Sequence, residues 1–141
     1  MKSRIGIVLA TMTVVLGTSL ALYAQGQMNT LFKVVVPFEF RVRSAHLSAG
    51  NYTVFHVGSK WILLQSEDRK ATALAPVMVS SAPAGQSASK LVFNRYGNLY
   101  FLSQVWTEED DQMHECHRSV AEETLLASQP RSGTTTVATI R

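Results

Sequence analysis

The residues best equipped for chemistry lie in one short run, Met113-His114-Glu115-Cys116-His117-Arg118. Imidazole nitrogen, carboxylate oxygen and thiolate sulfur are the donors that zinc and copper take. The spacing keeps them apart. On a strand His114 and Cys116 share a face and His117 points away; on a helix His114 and His117 align and Cys116 does not. A His-Glu-x-x-His zinc helix would need a second His where Arg118 stands. Cys116 beside His117 suggests a thiol nucleophile with a base, but neighbours on an extended chain point in opposite directions and are badly placed for proton transfer. The run reads as a polar connection, with metal binding by His114, Cys116 or His117 as the alternative. No catalytic, cofactor or metal residue is assigned.

Two further groups carry weaker signals. The acidic stretch Glu108 to Asp111 lacks the alternating oxygen ligands and the Gly of a calcium loop, and reads as a solvated turn. Trp61, Tyr96, Tyr100 and Trp106 could line a groove for an apolar or carbohydrate ligand, although aromatics at strand period more often fill a core. Neither a Gly-rich phosphate loop nor a Ser-His-Asp spacing is visible.

The elements that must position these residues are strands. Phe32, Val34, Val36, Phe38, Phe40 and Val42 fall on one face and Lys33, Val35, Pro37, Glu39, Arg41 and Arg43 on the other, the alternation of a half-buried strand with an edge or bend at Pro37. Two hairpins follow. Gly58-Ser59 suits a two-residue turn pairing Val57 with Lys60, His56 with Trp61 and Val54 with Leu63. Gly97-Asn98 does the same for Tyr96 with Leu99, Arg95 with Tyr100 and Phe93 with Leu102, placing Leu91, Phe93, Tyr100, Leu102 and Trp106 on one face. Val92, Tyr96, Leu99, Phe101 and Val105 make the opposite face apolar too, so this hairpin needs a second layer: a helix, a closed barrel or another subunit. Between the hairpins, Glu67 to Lys70 is a polar turn and residues 71–80 a weaker strand interrupted by Pro76. Residues 80–89 form a Ser/Ala/Pro/Gly loop.

Ser119 followed by Glu122 matches a capping box opening a short helix, which Leu125 and Leu126 could pack on the barrel and which Pro130 stops. The Ser/Thr/Gly-rich tail, 128–141, is expected to be disordered. The fold expected is mainly β: a small antiparallel meander of about six or seven strands, closed as a barrel or stacked as a sandwich, with a short C-terminal helix.

The N-terminus carries an address. Lys2 and Arg4 precede the uncharged apolar run Ile5 to Leu22, and Ala24-Gln25-Gly26 fits the small-x-small rule of signal peptidase. Residues 1–26 are read as a secretory signal peptide and 27–127 as a single β-rich domain. A retained anchor is the competing reading, since the run is long enough to span hydrocarbon; no later segment is, so no span remains after cleavage. Of the 13 Lys and Arg, Lys2 and Arg4 leave with the peptide, so 11 cations face 10 carboxylates and the net charge falls from +3 to +1. Without clustered cations, nucleic acid is excluded as a partner. Cys116 is the only cysteine and has no internal disulfide partner.

With "VPFEF" at 36–40, "LSAGNYTV" at 47–54 and "LVFNRYGNLYFLSQVW" at 91–106, the chain resembles a group of short exported bacterial proteins of uncharacterised function, best known from acidobacterial genomes. The similarity covers residues 34–126. It implies export and a compact β fold and carries no catalytic residues; His114, Cys116 and His117 are not part of its pattern. The chain is therefore read as an exported, periplasmic or extracellular protein, not an enzyme and needing no cofactor. As a binding or structural module it would engage a protein, a small apolar ligand or a second copy of itself.

Overall fold

The alternation that starts at Phe32 breaks at Pro37, whose ring removes a ladder N–H. Strand β1 covers Met28–Val36 and β2 covers Phe40–Val42. The inward face survives the break: Phe32, Val34, Val36, Phe40 and Val42 are buried, and Phe38 packs against them. A computed structural model describes residues 27–86, 88–108 and 111–139. The segment read as a signal peptide, 1–26, lies outside the described residues.

Strands β3 (Ala45–Leu47), β4 (Gly50–Val57), β5 (Trp61–Ser66), β6 (Thr72–Ser81), β7 (Lys90–Tyr96), β8 (Leu99–Thr107) and β9 (Gln112–Cys116) follow, then helix α1 (Val120–Ser128) and strand β10 (Gly133–Ala138). The ten described strands form one sheet ordered β1-β4-β5-β6-β9-β8-β2-β3, with β7 on the other edge of β8 and β10 beyond it. All pairings are antiparallel except β2 with β8, which meet in parallel at Arg41 and Phe101. The architecture is mainly β with a short helix, as expected. It is an open sheet rather than a closed barrel, and it has more strands than the six or seven anticipated. Pro37 divides the expected strand into β1 and β2, β3 adds a short strand after the turn at Arg43 and Ser44, and the C-terminal tail supplies another.

β6 links the two halves. Its first residues pair with β5, Trp61 opposite Pro76, and its last with β9, Val77 opposite Cys116. One core cluster draws on both halves, with the Phe40 ring edge-on to both Tyr52 and Phe93 at 5.1 and 5.3 Å.

Register departs from expectation in the first hairpin. Val57 pairs with Trp61 and Val54 with Leu64, around a three-residue turn from Gly58 to Lys60. A two-residue turn would have set Val54 beside Leu63 and turned Ile62 and Leu64 outward. A one-residue slip exchanges the faces of a strand, so burying Ile62 and Leu64 with Tyr52 and Val54 selects the longer turn. The second hairpin has the expected pairs, Tyr96 with Leu99, Arg95 with Tyr100 and Phe93 with Leu102, and Gly97 takes φ 60° in its turn. A bulge between Val92 and Phe93 then shifts the ladder, so that Leu91 faces Val105 and Lys90 faces Trp106. Val105 replaces Trp106 on the core face, and the Trp106 ring lies under the Lys90 ammonium at 4.5 Å.

The tail expected to be disordered is a strand. β10 pairs with β7 over six residues, from Gly133 opposite Arg95 to Ala138 opposite Lys90. Its Thr-rich composition brings only Val137 against the core, but β-branched Thr suits a half-exposed pleat and β7 presents an edge to pair with.

Candidate functional site

The His114-Glu115-Cys116-His117 run is divided by strand alternation. β9 turns His114 and Cys116 inward, where both are buried, while Glu115 and His117 are exposed. Cys116 lies opposite Val77, and burial, with the Glu122 and Glu115 charges adding, pushes its thiol up to about 12. It is a protonated thiol at neutral pH, which suits neither nucleophile nor metal ligand. His114 instead meets His56 of β4, ring centroids 5.1 Å apart and tilted by 50°. His56 was assigned no role in the sequence reading. Its place in the even-numbered series Tyr52, Val54, His56 was the available signal, hidden by the assumed register. Among the described residues no three His, Cys, Asp or Glu side chains gather as a metal site. The acidic stretch is described only at Glu108 and Asp111.

A second polar centre was half anticipated. Ser119 caps α1, its hydroxyl accepting from the Glu122 N–H at 3.2 Å. The Glu122 carboxylate does not reach back to complete the box. It turns under the helix, 3% exposed, and its Oε1 accepts from Asn94 Nδ2 at 2.9 Å and from the Tyr96 hydroxyl at 3.1 Å. Arg131 Nη1 donates to Asn94 Oδ1 at 3.3 Å from the far side. Burial first, and the Glu122 charge second, hold the Tyr96 phenol above its ordinary range. Leu126 is exposed and Leu125 half-buried, so the expected apolar docking of α1 is replaced by a buried carboxylate seated on two donors. This cluster is closed to solvent and serves as a fastening. Through Glu122 the helix is tied to Asn94 and Tyr96 of the hairpin.

The four aromatics do not line one groove. Tyr96 is buried, Tyr100 stacks on Phe38 at 4.0 Å, Trp106 sits with Lys90, and Trp61 alone stands out on the sheet surface. Around Trp61 the register assembles a surface that individual residues do not reveal. Met28, Val57, Trp61 and Pro76 lie side by side across β1, β4, β5 and β6, and the next row on that face is Thr30, Phe55, Leu63 and Leu74. Trp61 is 43%, Leu74 48% and Met78 59% exposed. This two-row patch has no charged side chain within it, and it borders Lys33 and Gln65 in the third row. No family model, curated protein or solved structure matches the chain. The outer face of β4, β5 and β6 therefore stands on its own chemistry: an uncharged apolar surface suited to excluding water against a partner.

Proposed function

We propose that the protein is an exported, non-enzymatic binding module of the cell envelope or extracellular space, and that its contact surface is the outer face of β4, β5 and β6. The observation that carries this reading is the double row of exposed and half-buried apolar side chains around Trp61, Leu63 and Leu74. Exposed apolar side chains scattered singly are ordinary; a contiguous uncharged patch across four adjacent strands marks an interaction surface. The basic n-region, the apolar run and the small-x-small site supply the address, and the resemblance to short exported proteins supports it. The protonated, buried Cys116 and the outward His117 favour no metal or thiol chemistry at the 114–117 run.

The test is proximity crosslinking in native cells with wild-type protein and with a triple variant, Trp61→Ser, Leu74→Ser and Met78→Ser. None of the three belongs to the core cluster, so the variant should still fold, which its melting curve checks. A discrete partner crosslinked to the wild type and lost from the variant is the expected result. Identical crosslinking profiles for the two proteins would overturn the assignment of this face.

A further inference from the structure

Beside the apolar patch the sheet has an unfinished edge. β6 runs ten residues, Thr72–Ser81, but β5 accompanies only its first half, from Gln65 opposite Thr72 to Trp61 opposite Pro76. The last bond on that side is Val77 N–H to the Lys60 carbonyl at 2.9 Å, in the Gly58–Lys60 turn. On the other side β9 pairs with β6 through to Ser81. The bonds bracketing that ladder, His117 N–H to the Pro76 carbonyl and Ala82 N–H to the Asp111 carbonyl, show that even-numbered residues of β6 direct their main-chain groups to β9. Odd-numbered ones face the opposite way. The N–H and C=O of Val79 and Ser81 thus point into a slot, end to end with β5, that no strand or turn among the described residues occupies.

We infer that this slot takes an extended, uncharged peptide segment of a partner as an added strand beside residues 77–81 of β6. The inference rests on the binding-module reading and names the form in which the partner arrives. Unpaired donors and acceptors repeating at strand spacing are complemented by another extended backbone; a helix or an apolar small molecule would leave them unbonded. The flanking side chains select the occupant further. Met78 and Val79 project to opposite faces and are 59% and 45% exposed, with Trp61 on the Met78 side, so alternate residues of the added strand meet apolar surface on both faces. Edge strands are ordinarily guarded by a charge, a proline or a bulge. From Val77 to Ser81 there is no charged or proline side chain, and the register with β9 is unbroken. Such an edge stays soluble when something covers it.

The experiment pans a displayed library of random octapeptides against the exported protein. Enriched peptides should alternate apolar or β-branched residues, carry no charge at their centre, and slow amide exchange at Val79 and Ser81. Val79→Pro removes an outward N–H while leaving the β9 bonds in place, and should weaken the selected peptides at least tenfold. Ser81→Pro does the same at the neighbouring outward position should the first variant melt early. Peptides that lose affinity with Trp61→Ser and Leu74→Ser but bind Val79→Pro as well as wild type would overturn strand addition and leave the apolar face standing. Enrichment of nothing would overturn both. A concentration-dependent dimer with Val79 and Ser81 protected and no peptide bound would replace the peptide with a second copy of this chain.

Discussion

Replacing Glu122 should loosen the entire C-terminal segment, and the size of the effect follows from what the carboxylate touches. Between residues 117 and 139 the buried side chains are Ser119 and Glu122, both polar, so α1 is not held by apolar burial. Glu122→Ala strands two buried donors, Asn94 Nδ2 and the Tyr96 hydroxyl. Each unsatisfied buried donor costs about 1–3 kcal/mol, offset in part by relief of a buried charge, for an expected loss of about 3 kcal/mol. Glu122→Gln keeps an acceptor and loses the charge, at about 1–2 kcal/mol. Tyr96→Phe removes one donor and costs about 1 kcal/mol. Urea denaturation reads these values, a 3 kcal/mol loss moving the midpoint by about 1.5–2 M for a domain of this size. Hydrogen exchange should show protection disappearing from residues 117–139 before the rest of the sheet. The double variant decides the mechanism: Glu122→Ala should cost about 1 kcal/mol less on a Tyr96→Phe background than on wild type. Strict additivity, or a loss under 0.5 kcal/mol for the alanine variant, would show that the helix is held by something else.

Gly97→Val forces a β-branched residue to φ 60° and should cost about 1–3 kcal/mol in thermal unfolding, whereas Gly50→Ala, whose added Cβ meets Tyr52 only at 4.0 Å, should change little; equal melting temperatures would remove the hairpin turn from the account. Cys116 should resist a thiol reagent at neutral pH until the protein is unfolded in urea, and prompt labelling of the native state would refute its burial. Because the folded thiol is raised from 9.0 to about 12, the unfolded chain ionises first, so stability contributed by the protonated thiol is present below pH 9 and declines as pH rises toward 12; Cys116→Ala should flatten that part of the pH–stability curve. His114→Ala opens a hole in the core and should cost about 2 kcal/mol, while His117→Ala at the surface should stay within about 0.5 kcal/mol; the reverse order in denaturant melts would contradict the strand alternation of β9. Intact mass of the exported protein should show loss of residues 1–24 or 1–26, and a full-length chain confined to membranes would refute cleavage.

The parts legible in the sequence are those where side-chain type and backbone period agree. The series Phe32 to Val42 names its buried face correctly even though Pro37 divides the strand, because alternation survives a break that preserves the count. Gly97-Asn98 names its turn because few residues accept its backbone angles. Gly58-Ser59 misleads for a related reason: Gly58 does take φ 60°, but the turn extends to Lys60, since Ile62 and Leu64 decide the register from further away. Local turn chemistry proposes a pairing, and the core selects among the pairings it allows. The bulge at Val92 and Phe93 lies beyond such reasoning, because two apolar residues in succession, Val105 and Trp106, leave open which one faces inward.

The features on which the proposed function rests were invisible for a different reason. The Trp61 patch consists of residues separated by up to 48 positions, each ordinary in its own strand, and exists only once three registers are known. The slot beside Val79 is subtler still, since it arises from a mismatch of lengths: a ten-residue β6 against a six-residue β5. Neither strand signals the difference, and hydrophobic pattern carries no information on which backbone groups go unpaired. Read together, the two features place an uncharged surface and an open ladder on the same end of the sheet, adjoining at Trp61, Pro76 and Met78. A patch alone could meet any apolar partner, and an open edge alone could be an accident of chain length. Side by side they favour the proposed occupant over either alternative, because a partner whose backbone completes the sheet can also continue its side chains onto the Trp61 face.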